Sequence, residues 1–152
     1  MKEIIEEMKN LFAQNNIPVF GITNASSVQG EPSCHRPHDM LASARAILCL
    51  GMPVPKGIFK CQERSEWMYW RAANIYYRSI DMVLMQIASM LEEKGEIAMP
   101  IYSCFPYDIK GKGDFWGYMG LIKMAEAVGI GKIGKNGLLF NSKYGPRLIL
   151  GG

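Results

Sequence analysis

A chain of 152 residues, 49% hydrophobic and 20% charged, is long enough to bury a core and too apolar for a disordered or low-complexity polymer. Its formal net charge of +3 is too small to argue for nucleic acid by itself. No apolar run approaches the roughly 20 residues of a membrane-spanning helix, and the charged, amphipathic start lacks the continuous apolar stretch of a signal peptide.

Ile4, Ile5, Met8, Leu11 and Phe12 recur at helical spacing and predict an amphipathic helix over 2–15. Residues 17–23 read as a buried strand, and 24–38, rich in Ser, Gly, Pro and Asn, as a loop. Residues 46–51 form a continuous apolar run, the pattern of a strand covered on both faces. Pro53, Pro55 and Gly57 open another loop. The longest element is a helix over 63–94, with Trp67, Trp70, Ala73, Tyr77, Ile80, Leu84, Ile87 and Leu91 as its stripe and Gly95 in C-cap position. A strand over 97–102, a loop over 103–116 and a short helix over 117–128 follow. Residues 129–137 are glycine-rich, and 138–140 and 147–150 are strand-like runs separated by 141–146. The pattern is alternating α/β around one core, with no internal repeat or linker. The stop at Gly151-Gly152, directly after a strand-like run, leads us to expect a domain continued by further chain.

Cys34, Cys49, Cys61 and Cys104 have no CxxC spacing, so no sequence-local zinc or cluster site is expected. Scattered thiols suit a reducing compartment, hence the cytoplasm, and Cys49 in its apolar run reads as a buried thiol. The eleven methionines read as core filler. His35 and His38 lie in the polar loop and read as surface residues rather than ligands. The aromatic group Trp67, Tyr69, Trp70, Tyr76 and Tyr77 has helical spacing and reads as core in preference to a stacking surface.

The segment Gly129-Ile-Gly-Lys-Ile-Gly134 matches GxGxxG, but a predicted helix precedes it and a strand follows. That order is the reverse of what places a pyrophosphate at a helix N-terminus. The same segment misses the GxxxxGK[ST] phosphate loop, with Asn136 where a hydroxyl would bind magnesium. Two readings stay open: a turn in which Gly129 caps a helix, or a backbone-exposing, cationic, amide-bearing loop with Lys132, Lys135 and Asn136 that approaches a large polar ligand.

The stretch Ala125-Glu-Ala-Val-Gly-Ile-Gly-Lys-Ile-Gly-Lys-Asn-Gly-Leu-Leu139 resembles the A-x-x-A-G-L-G-W-I-G-K-N-x-L-L segment of epoxyqueuosine reductases. Its continuation through Tyr144, Gly145 and Arg147 to Leu150 resembles the YG-x-R-x-x-L stretch of reductive dehalogenases and related cluster-binding proteins. Upstream, Arg36 to Leu48 is similar to the family's RP-x-x-LL-P-x-A-x-S-V-I, and the order of the blocks agrees. The resemblance runs from about Phe20 to Leu150. It implies an α/β fold, a nitroreductase-like three-layer sandwich with a mixed central sheet and flanking helices, holding a cobalamin base-off with no protein histidine on cobalt. The chain lacks the DxHxxG pattern of histidine-ligating corrinoid proteins, in agreement. Carried onto this sequence, the corrinoid's polar edge would be held by Gly129, Gly131, Lys135, Asn136, Gly137 and Leu138.

The chain also departs from that pattern. Family enzymes carry C-x2-C-x2-C-x3-C-P cluster motifs after the corrinoid domain, and none occurs here, so 4Fe-4S clusters are expected only beyond residues 1–152. Activity would then need an electron donor such as a ferredoxin or flavodoxin. Lys132 replaces the signature tryptophan. Asp114 lies within about one residue of the reductases' proton-donating acid; the competing reading is a cap for the helix expected from Gly117. Tyr107 lies in the loop where dehalogenases place a tyrosine donor. The absence of a twin-arginine leader favours the cytosolic reductase branch. Lys56, Lys60, Arg64 and Arg71 form a mild basic stretch, read as a solvated face in preference to a contact with tRNA phosphates. The resemblance implies a cobalamin-dependent reductase domain related to epoxyqueuosine reductase, inactive by itself. A non-catalytic corrinoid-transfer module and a flavin-binding nitroreductase-like protein are the alternatives.

Overall fold

A computed structural model describes the backbone of residues 2–104, 107–110 and 114–152, and the side chains of these outside 2, 107–110 and 114–116. The amphipathic pattern at the start forms α1 (Lys2–Gln14), whose Met8 and Phe12 are buried. Asn16, with φ of 53°, turns the chain into β1 (Val19–Asn24). A short helical turn, α2 (Pro37–Met40), interrupts the long polar loop. The apolar run becomes β2 (Ala46–Pro53), which pairs antiparallel with β1 in the register Val19↔Gly51 to Asn24↔Ala46. On its other side β2 pairs antiparallel with β7 (Leu148–Gly151), in the register Leu50↔Gly151 to Pro53↔Leu148.

The order β1-β2-β7 makes β2 central and explains its continuous hydrophobicity. Leu50 and Met52 enter one core cluster with Phe12 of α1 and Ile80, Val83 and Leu84 of the long helix. Ile47 and Cys49 enter a second cluster with Met124 and Ala125. Successive residues of a strand point to opposite faces, so a strand covered on both sides must be apolar at every position. Both pairings of this sheet are antiparallel, which corrects the expected mixed sheet. Continuous hydrophobicity reports burial of both faces and carries no information about strand direction.

The long helix α3 (Ser65–Glu93) ends with Lys94 as C-cap and Gly95 at φ of 80°, as expected. Its length is close to the expected one, and what the sequence reading misses is the burial of its first turns. A helix of 29 residues spans about 44 Å, whereas the 8-residue β2 spans about 26 Å. The buried positions run only from Ala73 to Ala88. The first two turns overhang the sheet, so Trp67 and Trp70 are 68% and 63% exposed rather than core. Tyr76 and Tyr77, farther along, do pack against the core.

The strand expected over 97–102 does not form. Pro100 has no N–H to give to a ladder, and the segment joins the sheet at one residue, where Ile101 and Gly152 exchange backbone hydrogen bonds of 2.6 and 3.1 Å. The expected loop over 103–116 instead contains an antiparallel ribbon of β3 (Tyr107–Lys110) and β4 (Asp114–Gly117), in the register Tyr107↔Gly117 to Lys110↔Asp114. The next helix, α4 (Leu121–Ala127), starts later than expected, with Gly120 as its N-cap. Asp114 therefore lies in a strand and does not cap α4. The glycine-rich segment contains β5 (Lys132–Ile133), paired antiparallel with β6 (Leu139–Phe140). No described helix is long and apolar enough to cross a membrane.

Candidate functional site

The glycine-rich segment is a helix-to-hairpin unit, so the dinucleotide and phosphate-loop order is absent here. Gly129 has φ of 82° and follows the last turn of α4; its N–H donates to Glu126 O at 3.0 Å, and Ile130 N–H to Ala125 O at 2.9 Å. That is a helix stop requiring the left-handed region, where glycine carries no Cβ penalty. Gly131 has a different role. A Cβ there would stand 2.5 Å from Phe140 O, so only glycine lets β5 and β6 meet at this point. Glu126 fixes the far side of the unit by accepting the Ile133 N–H at 2.9 Å. The capping reading of Gly129 is thus realised, and the loop is still exposed at its tip.

At that tip, Gly134 N–H donates to Leu138 O and Gly137 N–H to Gly134 O, each at 2.9 Å, while Asn136 Oδ1 accepts the Leu138 N–H at 3.2 Å. Lys135, Asn136, Gly137 and Leu138 all face solvent. Beside the unit lies an open cleft of about 280 Å³, whose walls include Val19, Phe20, Gly129, Ile130, Lys143 and Tyr144. Asn141 builds its floor: Nδ2 donates to Ile130 O at 2.6 Å, and Oδ1 accepts the Lys143 and Tyr144 N–H groups at 3.0 Å each. Lys143 Nζ stands 5.2 Å from the Tyr144 ring centroid. Of the residues nominated from sequence, Gly129 lines this cleft, Gly131 supports it, and Lys135 to Leu138 stand at the hairpin tip. Phe20, Lys143 and Tyr144 were missed as site residues. The Asn-Ser-Lys-Tyr-Gly turn was the available signal, a loop carrying a cation and an aromatic next to a glycine-rich segment.

The side chains of Tyr107 and Asp114 lie outside the described residues. Their backbones occupy opposite ends of the β3–β4 register, with Tyr107 paired to Gly117 at one end and Asp114 to Lys110 at the other. The root of this ribbon meets His35, which is buried at 6% exposure and so is not the surface residue expected. A third surface feature is the overhang of α3. Trp67 and Trp70, with Glu66, line an open hollow of about 330 Å³, and Lys56, Lys60, Arg64 and Arg71 are all exposed.

Among the described residues no group of three His, Cys, Asp or Glu side chains is placed to hold a metal ion. Cys34 and Cys61 are exposed, whereas Cys49 is buried in the sheet as expected. Burial pushes the Cys49 thiol from 9.0 up to about 12, against a smaller opposing effect of a backbone hydrogen bond at Leu50. The unfolded chain loses this proton first, so the native state binds more protons between pH 9 and about 12, and stability falls as pH rises through that window. Urea midpoints measured from pH 8 to 10.5 should show this decline, and Cys49→Ala should flatten it. An equal decline in the variant would assign the effect to other groups.

No protein-family model and no curated protein matches the sequence. Solved structures do match. An epoxyqueuosine reductase from Streptococcus thermophilus superposes with a TM-score of 0.61 at 18% identity, over 97% of this chain and 44% of that one. The Bacillus subtilis epoxyqueuosine reductase, in a form whose aspartate-bearing catalytic loop is swung out of the active site, gives 0.57 at 14% identity, over 97% and 44%. An epoxyqueuosine reductase with an epoxyqueuosine-modified tRNA-Tyr stem loop gives 0.59 at 15%, over 99% and 43%. The chain therefore has a fold seen in epoxyqueuosine reductases and spans less than half their length.

Proposed function

We propose that this chain is a corrinoid-binding domain of an epoxyqueuosine reductase-like enzyme, with the nitroreductase-like three-layer arrangement of helices about its sheet. The observation that carries the reading is a coincidence of two likenesses: a fold match over 97–99% of the chain, and blocks at Arg36–Leu48 and Ala125–Leu150 that resemble the same family's.

The residues present fit a corrinoid. Its rim of amides calls for exposed donors and cations beside an open apolar face. The Lys135–Leu138 tip, Lys143 and the ring of Phe20 provide these around one unit. Gly129 and Gly137 leave open space where a Cβ would stand, so backbone can approach a ligand there. No histidine needs to reach the cobalt in a base-off mode, and His35 is already committed to the Gly117 carbonyl at 3.0 Å. When bound, the corrinoid would supply low-valent cobalt redox chemistry. This chain's part is to bind its edge, keep water from one face and hold a proton at Asp114. Tyr107 is the alternative donor. Three register steps, about 10 Å of strand, separate their backbone positions.

A 4Fe-4S cluster does not fit this chain's own cysteines, since Cys49 lies inside the sheet and no described group of three ligands converges. Electrons would come from outside residues 1–152, through a cluster module or a ferredoxin- or flavodoxin-like donor. The α3 overhang, with two exposed tryptophans among four cations, suits stacking and phosphate contact with a tRNA stem loop.

The test is titration of the purified chain with hydroxocobalamin and cob(II)alamin, read by absorbance and paramagnetic resonance. Saturable binding with a base-off cobalt spectrum is expected, weakened about two- to tenfold by Lys135→Ala for one lost polar contact. A folded chain that ignores both corrinoids overturns the reading. Yellow, flavin-loaded protein would then favour the flavin alternative. Binding without turnover, once a cluster donor and a stem-loop substrate are supplied, would favour a corrinoid-transfer module.

A further inference from the structure

We propose that residues 30–35 form a latch that sets the position of the β3–β4 ribbon, with His35 as its positioning residue. His35 is the buried polar residue among those described. Its Nδ1 lies 3.0 Å from Gly117 O and 3.3 Å from Tyr118 O. Carbonyls only accept, so Nδ1 carries the proton and donates. Gly117 is the last residue of β4 and pairs with Tyr107, the first of β3. The imidazole therefore grips the ribbon at its Tyr107–Gly117 end.

A second arm closes the latch. Lys123 of α4 donates to Gly30 O at 2.8 Å and stands 3.3 Å from Glu31 Oε1, an ion pair short of hydrogen-bond geometry. The Glu31 side chain is only 8% exposed. It packs on Gly120, where a Cβ would come within 2.5 Å of Oε1. Residues 30–35 thus touch 117–123 at both ends, across more than eighty residues of sequence. A buried imidazole and a nearly buried carboxylate are a costly way to hold a loop that apolar packing would also hold. What polar contacts add is a fixed angle and register. The ribbon carries Asp114 three register steps, about 10 Å, from the grip, so a small tilt at Gly117 displaces that position by a larger amount.

The consequence for Asp114 rests on the proposed function; the latch does not, and it is tested without cofactor. Hydrogen exchange of the full chain would follow the amides of 107–110 and 114–117 against those of β1, β2 and β7. His35→Phe keeps volume without a donor, His35→Asn keeps an N–H close to the place of Nδ1, and Lys123→Met opens the second arm from a partly exposed site. His35→Phe and Lys123→Met are expected to speed exchange in the ribbon about tenfold, as loss of a hydrogen bond worth about one decade implies. The sheet should be unchanged, and His35→Asn should restore protection. Uniform acceleration throughout the chain, unaltered ribbon exchange, or an Asn variant no better than Phe each overturns the proposal. If the His35→Phe chain does not fold, Lys123→Met decides by the same ribbon-against-sheet comparison. Corrinoid binding that fails while the ribbon responds leaves the latch standing and removes only the proposed function.

Discussion

Leu50→Ala is expected to lower the unfolding free energy by about 3–5 kcal/mol, the upper part of the range for a buried leucine. Leu50 is fully buried at the centre of β2, paired with Phe20 on one side and Gly151 on the other. It belongs to the cluster that joins α1, the sheet and α3. Two features keep the resulting hole from closing. Its neighbour Gly151 has no side chain to swing into it, and α3 already lies as close to β7 as packing allows, since a Cβ on Gly151 would collide with Ile80 Cγ2 and stand 3.1 Å from Leu84 Cδ1. The cost is therefore transfer plus an unrelaxed cavity. Urea denaturation would read it as a lower midpoint at constant slope. A loss below about 1 kcal/mol would mean that this strand is not central, because removal of a fully packed leucine does not come so cheaply.

Gly21→Ala is expected to cost about 1–3 kcal/mol by overpacking, and to disturb the candidate site as well. A Cβ at position 21 would run into the carbonyl oxygen of Val128 and approach its Cβ and Cγ2 to 2.9 Å. The first of these contacts is with backbone, so no rotamer change relieves it. β1 and the end of α4 must separate. Val128 directly precedes Gly129, and Phe20 directly precedes Gly21, so the separation opens two walls of the cleft beside the glycine-rich hairpin. On the proposed function, corrinoid affinity should fall in parallel, measured at a temperature where the variant is still folded. Gly57→Ala is the control: its Cβ would meet nothing within 4 Å, and its effect should stay within about 0.5 kcal/mol. A Gly21 variant that loses stability yet binds corrinoid normally would separate the α4 turn from the binding site.

The sequence by itself determined what depends on near neighbours. The stripe of Ile4, Met8 and Phe12 specified α1, the unbroken run at 46–51 specified a doubly covered β2, and Gly95 and Gly129 specified two helix stops. Each follows from side-chain periodicity or from a backbone angle that glycine adopts without penalty. Cys49 was legible as a buried thiol for the same reason. The sequence also carried the resemblance that places the candidate site at the glycine-rich segment, but not the cleft beside it, which is made when β1 and the 141–144 turn come together. Only the tertiary structure decided how far α3 outruns its sheet, and with it that Trp67 and Trp70 face solvent, since helical spacing is the same whether or not a layer lies beneath. It likewise decided that both sheet pairings are antiparallel, that 107–110 pairs with 114–117, and that His35 is buried against Gly117. Strand direction, overhang and burial of a polar side chain are properties of partners distant in the chain, and local patterning holds no record of which partner will arrive.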